Sequence, residues 1–198
     1  VSGETTKTIK GLPAGEYILR ETAAPNGYTI AKDVKFTVTD ELKAAETVVM
    51  ENAPIEVNIS KTDITTDKEL PGATLQILKK AAAVTDDGEE TETEEVVTTI
   101  YGEKLEWKST GEPKNIKGLP AGEYILRESA APDGYTVAAD VTFTVTDELK
   151  AVETVEMQDA PIETVISKVD MADTAKELPG ATLQILKKVT AEDGTTSE

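Results

Sequence analysis

Lys61, Glu128 and Asp159 each stand at the end of a stretch in which apolar and polar residues alternate, and the alternation puts all three on the apolar side. Lys61 shares a face with Val57 and Ile59, Glu128 with Tyr124 and Leu126, and Asp159 with Val155 and Met157. Burying a lone charge costs several kcal/mol, so inward-facing charges must meet one another. Two plain arrangements satisfy this pattern: the strands end at the rim of the fold and the polar groups reach water, or Lys61 and Asp159 form a buried salt bridge. A third is chemical. The same placement recurs with Glu21 after Tyr17 and Leu19, with Asn52 after Val48 and Met50, and with Lys168 after Thr164 and Ile166. Asn52 thus stands where the other copy has Asp159. An ion pair is lost with asparagine, whereas a carbonyl carbon open to attack survives the exchange, which points to chemistry at that carbon.

Composition removes most competing chemistry. The 198 residues include no His and no Cys, so thiol nucleophiles, imidazole bases, disulfides and the usual zinc sites are excluded. No metal and no cofactor is expected. The acidic stretch Asp86 to Glu95 lacks the one-three-five oxygen spacing and late Glu of a calcium loop, and it reads as a solvated hairpin tip. A net charge of −18 repels phosphate backbones and anionic lipid, which argues against nucleic acid as a partner. No apolar run approaches the ~18 residues of a membrane span, so no membrane insertion is expected of this segment. With 29 Thr and only 8 aromatic residues, the chain favours many modest strands over a large aromatic core.

The elements that must position these groups are repeated. Gly11 to Glu21 recurs unchanged as Gly118 to Glu128, at an offset of 107. From Ile9 against Ile116 to Lys61 against Lys168, 42 of 53 aligned positions are identical, and after one inserted residue Glu69 to Lys80 is matched by Glu177 to Lys188. This is a tandem array. Ala53-Pro54-Ile55 and Ala160-Pro161-Ile162 mark its boundaries, giving residues 1–55 as the C-terminal part of one repeat, 56–162 as a complete repeat and 163–198 as the N-terminal part of a third. Within the complete repeat, period-two stretches are separated by Leu119-Pro120-Ala121-Gly122 and Pro132-Asp133-Gly134, which supply fixed and positive φ. Val96 to Trp107 also reads as a strand, with Trp107 packed in the core. About seven short strands so punctuated predict an all-β antiparallel sandwich.

At Ile59-Ser60-Lys61-Thr62-Asp63, Leu70-Pro71-Gly72-Ala73-Thr74-Leu75, Gly118 to Tyr135, and Val155 to Pro161 the sequence resembles the CnaB-type (SpaA-like, collagen-binding B-type) domains of Gram-positive surface adhesins and pilins. The resemblance covers the whole chain. It implies tandem immunoglobulin-like β-sandwiches in which a first-strand Lys forms a spontaneous isopeptide bond with a last-strand Asn or Asp, assisted by an acidic residue on a middle strand. Carried over, Lys61 is the nucleophile, Asp159 the electrophile and Glu128 the proton-handling group; Glu21, Asn52 and Lys168 hold the same roles in the incomplete repeats. An apolar enclosure disfavours charge, so a neutral amine can attack while an enclosed carboxylic acid polarises the carbonyl. The reaction happens once per domain, so no enzymatic turnover is implied. The expected role is a stalk or fibre repeat on an extracellular bacterial surface, with neighbouring repeats or other copies of the chain as partners. Two other classes remain open: a split-domain module that crosslinks chains end to end, and a ligand-binding adhesin domain, which would need an inserted domain or an exposed aromatic patch.

Overall fold

The structure, a computed structural model, describes residues 2–41, 46–84, 90–149, 152–190 and 196–197. The chain forms two compact units, Val1–Ile162 and Glu163–Glu198. Among the described residues there is no helix. The first unit opens with an antiparallel pair, β1 (Gly15–Leu19) and β2 (Val34–Val38), registered from Gly15 opposite Val38 to Leu19 opposite Val34. Then follow β3 (Glu56–Asp63), β4 (Thr74–Val84), β5 (Glu90–Val96), β6 (Glu106–Lys108), β7 (Lys114–Lys117), β8 (Gly122–Ala130), β9 (Val141–Val145) and β10 (Glu153–Asp159).

These later strands make two sheets. One has the order β10-β3-β7; the other runs β5-β4-β8-β9, with β6 pairing the start of β4 and β5 pairing the rest. Alternate residues of both sheets meet in one core: Val57, Ile59, Ile116 and Met157 from the first, Leu75, Ile77, Tyr124, Leu126 and Val145 from the second, with Leu105 and Leu119 from connections. Every pair in these sheets is antiparallel, as the sequence predicts, except β3 and β10. That pair is parallel, from Val57 opposite Glu153 to Asp63 opposite Asp159. Parallel neighbours need a long crossover, and here the rest of the repeat serves as one.

Turn chemistry recurs where the sequence recurs. Tyr124 Oη donates to Pro120 O at 2.8 Å and Tyr17 Oη to Pro13 O at 2.8 Å, so each Leu-Pro-Ala-Gly turn is tied to the strand it starts. Each tyrosine stacks on a cross-strand phenylalanine, Tyr124 on Phe143 at 5.7 Å and Tyr17 on Phe36 at 5.5 Å between ring centroids. Gly118 has φ of 73°, and a Cβ there would stand 2.6 Å from Ile100 Cγ1; both conformation and space demand glycine.

Three local readings change. Val96 to Trp107 is not one strand: β5 ends at Val96, and Thr98 bridges Lys104 across a turn in which Thr99 Oγ1 accepts from the Tyr101 and Glu103 amides. Gly102, with φ of 82°, closes that turn before β6 begins. Trp107 lies half-buried against the core, with Lys114 Nζ 5.5 Å from its ring centroid. In the acidic stretch, residues 90–95 belong to β5 rather than to a hairpin tip, and residues 86–89 lie outside the described residues. Alternation is also not strict, since Leu78 and Ile125, opposite one another in register, are both buried on the nominal outer face.

Ser109 joins the sheet edge to the core. Its buried hydroxyl donates to Leu70 O at 2.7 Å and accepts from Ala73 N at 2.9 Å. Ser109→Ala leaves a buried carbonyl and amide unserved, and the expected loss is about 2 kcal/mol in chemical denaturation. A change below a few tenths would show that water takes over both bonds.

In the second unit Val169 bridges Glu177, Leu178 N donates to Lys168 O at 2.7 Å, and β11 (Val189–Thr190) pairs with β12 (Thr196–Ser197).

Candidate functional site

Lys61 and Asp159 come from the parallel pair β3 and β10, and Glu128 comes from β8 in the facing sheet. Inward alternation delivers Lys61 behind Ile59 and Asp159 behind Met157. A bulge helps to place Glu128: the β4–β8 register runs Leu75 opposite Glu128 but Thr74 opposite Ala130, so one residue of β8 is extra. Such a bulge re-aims neighbouring side chains.

The three groups meet under the apolar core, with Lys61 1%, Glu128 4% and Asp159 1% exposed. Lys61 Nζ is in direct contact with Asp159 Oδ1 and lies 3.3 Å from Glu128 Oε1. A rim position does not describe this: one buried amine is in ion contact with two buried carboxyls. Glu128 Oε2 accepts from Ala138 N at 2.7 Å. Glu128 Oε1 and Asp159 Oδ2 are buried and accept no hydrogen bond among the described residues, Glu128 Oε1 having only the ion contact with Lys61. Burial holds Glu128 above the usual carboxylate range; the Ala138 amide and Lys61 act in the opposite sense, and Asp159 adds to the rise.

Asp63, Tyr135, Ser60 and Glu69, which the alternation of apolar and polar residues does not mark, hold the two strands in register around the site. Asp63, opposite Asp159, accepts from Thr65 N at 2.7 Å and Tyr135 Oη at 2.7 Å, and Ile64 N donates to Asp159 O at 3.0 Å. The Thr65 hydroxyl and then Tyr135 hold Asp63 below the usual carboxylate range. On the other side of Lys61, Ser60 Oγ donates to Glu69 Oε1 at 2.5 Å, and Lys61 N donates to Glu69 Oε2 at 3.2 Å. The recurrence of Ser-Lys and of Glu-Leu-Pro-Gly at 167–168 and 177–180 was the available signal for Glu69.

The residues that repeat Glu128, Asp159 and Lys61 outside 56–162 keep parts of the same local bonding. Asn52 Nδ2 donates to Glu21 Oε2 at 2.6 Å and to Thr29 O at 2.9 Å, and Ala31 N donates to Glu21 Oε2 at 2.7 Å. The Ala31 contact reproduces that of Ala138 on Glu128. Lys168, in the second unit, is exposed, and its amide and Ser167 Oγ bond Glu177 at 3.2 and 2.5 Å. Among the described residues no cluster of acidic side chains is arranged to hold a metal ion, and no helix is long and apolar enough to cross a membrane.

Comparison with known proteins places the chain in a family. The SpaA prealbumin-like fold domain matches the chain twice, over residues 2–54 and 55–161. A collagen adhesin of Staphylococcus aureus is 31% identical over 163 residues, covering 74% of this chain, while the chain spans 13% of the adhesin's length. Among solved structures, the shaft pilin SpaA of Lactobacillus rhamnosus GG is 21% identical, with a TM-score of 0.40 over 76% of this chain and 66% of the pilin. The Bacillus anthracis TIE protein is 27% identical, with a TM-score of 0.38 over 94% of this chain and 34% of that one. The two family matches cover well over half of the residues, and the chain belongs to the SpaA prealbumin-like, CnaB-type domain family, in tandem.

Proposed function

We propose that the chain is a stalk segment of an extracellular surface protein whose complete repeat, residues 56–162, closes itself with an amide bond between Lys61 Nζ and Asp159 Cγ. The observation that carries this reading is the contact of Lys61 Nζ with the Asp159 carboxyl in a closed site, with Glu128 Oε1 3.3 Å from the same nitrogen. Neutral Lys61 attacks Cγ of protonated Asp159 while Glu128 donates a hydrogen bond to the carbonyl. The Nζ–Cγ bond forms, a Cγ–O bond breaks, and the departing hydroxyl takes the proton relayed from Nζ through Glu128, leaving as water. Folding holds the reactants together, so effective concentration takes the place of an outside catalyst. Each domain reacts once, which makes this self-modification rather than turnover.

Position gives the bond its use. Tension along an array would enter β3 at Lys61, cross the bridge and leave β10 at Asp159, shielding the 97 residues between them. Similarity to a collagen adhesin supports a surface location; collagen recognition is a property of that protein. Tryptic digestion tests the bond at residue level: a branched peptide joining the Lys61 and Asp159 fragments is expected, and linear, unmodified fragments of both would refute it.

A further inference from the structure

The link between the two matched domains, residues 2–54 and 55–161, is tied down at each of Ala53, Pro54 and Ile55. Ala53 O accepts from Thr29 N at 2.9 Å and from Thr29 Oγ1 at 3.2 Å. Pro54, whose ring fixes its φ, forms a bridge with Tyr28. Ile55 N donates to Gly27 O at 2.9 Å, and Ile55 O accepts from Gly118 N at 2.8 Å. The Ile55 side chain, 4% exposed, belongs to the core of the second domain. Linkers between domains ordinarily leave their backbone groups to water and permit motion. This one cannot turn without breaking bonds on both sides.

A ladder of backbone bonds runs through the link from one domain into the other. Gly27 O is bound by Ile55, Ile55 O by Gly118, and Gly118 O by Ile100 N at 3.1 Å. The outer members of the ladder also touch. Gly27 is buried with φ of 78°, and a Cβ on it would stand 2.7 Å from Ile100 Cγ2 and 3.1 Å from Gly118 O, so Ile100 fills the space that any larger residue would need. The turn carrying Ile100 is itself fixed, since Thr99 N donates to Glu103 O at 2.9 Å and Gly102 N to Thr99 O at 3.0 Å. A second crossing stands apart from the first: Ile30 N donates to Asp147 O at 2.7 Å, and Leu149 lines a groove with Thr29, Ile30 and Val49. One crossing would leave a swivel; two fix a direction.

We propose that the turn at residues 98–102 is a docking surface for the Gly-Tyr turn at residues 25–29 of the preceding domain, and that with the Ile30–Asp147 bond it holds consecutive domains in one orientation, as a rod and not as beads on a thread. The reversal between β5 and β6, which the Lys61 site does not use, thereby gains a role. This goes beyond the amide proposed for Lys61 and Asp159 and stands without it, because no group of that site takes part. The presented turn recurs in the second domain as Pro132-Asp133-Gly134-Tyr135-Thr136, where Tyr135 N donates to Pro132 O at 3.1 Å and Thr136 N to Ala160 O at 3.0 Å, as Tyr28 N donates to Pro25 O at 3.0 Å. One domain thus carries both the receiving and the presenting turn, as head-to-tail stacking requires.

Hydrogen exchange of the 198-residue chain, read amide by amide, tests the joint. Ile30 N bonds across it, so its protection reports the closed joint, while Ile77 N, bonded to Leu105 O within the second domain, reports that domain's folding. In the parent the Ile30 amide should exchange about 100-fold more slowly than in an unstructured chain. Ile100→Ala, in the other domain, should cut that protection about tenfold and leave Ile77 nearly unchanged; Gly27→Val should do the same from the opposite side. Residual dipolar couplings of β1 and β2 should fit one alignment tensor with those of β3 to β10 in the parent and a separate one in Gly27→Val. Free-chain exchange at Ile30 in the parent overturns the proposal, as do two tensors in the parent or Ile30 protection that neither substitution changes. Equal losses at Ile30 and Ile77 in both variants would mean unfolding of the domain and not opening of a joint, and would also overturn it. None of these outcomes bears on the Lys61–Asp159 reading.

Discussion

Replacing Glu128 by glutamine is expected to leave the complete repeat folded with Lys61 and Asp159 side by side and unjoined. Glutamine fills the same volume and can keep the Ala138 contact, since its amide oxygen accepts where Glu128 Oε2 does at 2.7 Å. It cannot carry a proton from Nζ to the departing hydroxyl. General acid–base assistance contributes about 10²–10⁴-fold to such steps, so linking that completes during purification of the parent should slow by about that factor. Glu128→Ala should do the same and add a small cavity. Either variant linking at the parent rate would remove Glu128 from the reaction. The pH dependence follows from burial, which raises Glu128. Its acid form persists above the usual carboxylate range, and linking during refolding should weaken as pH rises through that raised value. The same sign governs stability of the unlinked Glu128 protein: a carboxyl raised on folding stabilises the fold below its unfolded value of about 4.3, and this contribution is lost as pH rises through the folded value.

Lys61→Met should produce the largest change in stability. Methionine keeps apolar volume in a site where Lys61 is 1% exposed but has no amine, so the loop of 97 residues between Lys61 and Asp159 stays open in the unfolded chain. By analogy with a disulfide closing a loop of that size, the lost entropic contribution is roughly 4–5 kcal/mol. For a domain of this size that corresponds to a fall in Tm of about 20–30 °C. Differential scanning calorimetry of residues 1–198 with and without the substitution reads it directly; a fall of only a few degrees would mean that no covalent closure was lost.

The halves of the site were unequally legible. Lys61, Glu128 and Asp159 could be placed inward because each ends a clean alternation, and the Asn52-for-Asp159 exchange was the one sequence signal that pointed to carbonyl chemistry. Their meeting depends on the parallel pairing of β3 with β10, which alternation cannot show, since period two fixes the face of a strand and not its neighbour. The β8 bulge beside Glu128 was hidden for a related reason: Glu-Ser-Ala carries no glycine to announce the extra residue. Val96 to Trp107 misled because Val97 and Leu105 do face the core, while the reversal between them rests on the Thr99 hydroxyl and Gly102 rather than on a proline-containing turn. Asp63 and Tyr135, which tie the end of β3 to the segment before β9, are 72 residues apart, and no local pattern links them.

Intact mass of the purified 198-residue chain, measured under denaturing conditions, tests the proposed covalent closure most directly. A monomer mass one water below the value calculated from the sequence, unchanged after reduction and restored to the full value in Lys61→Met after allowance for the substitution, is the expected result. A parent monomer at its full calculated mass would contradict the amide bond between Lys61 and Asp159.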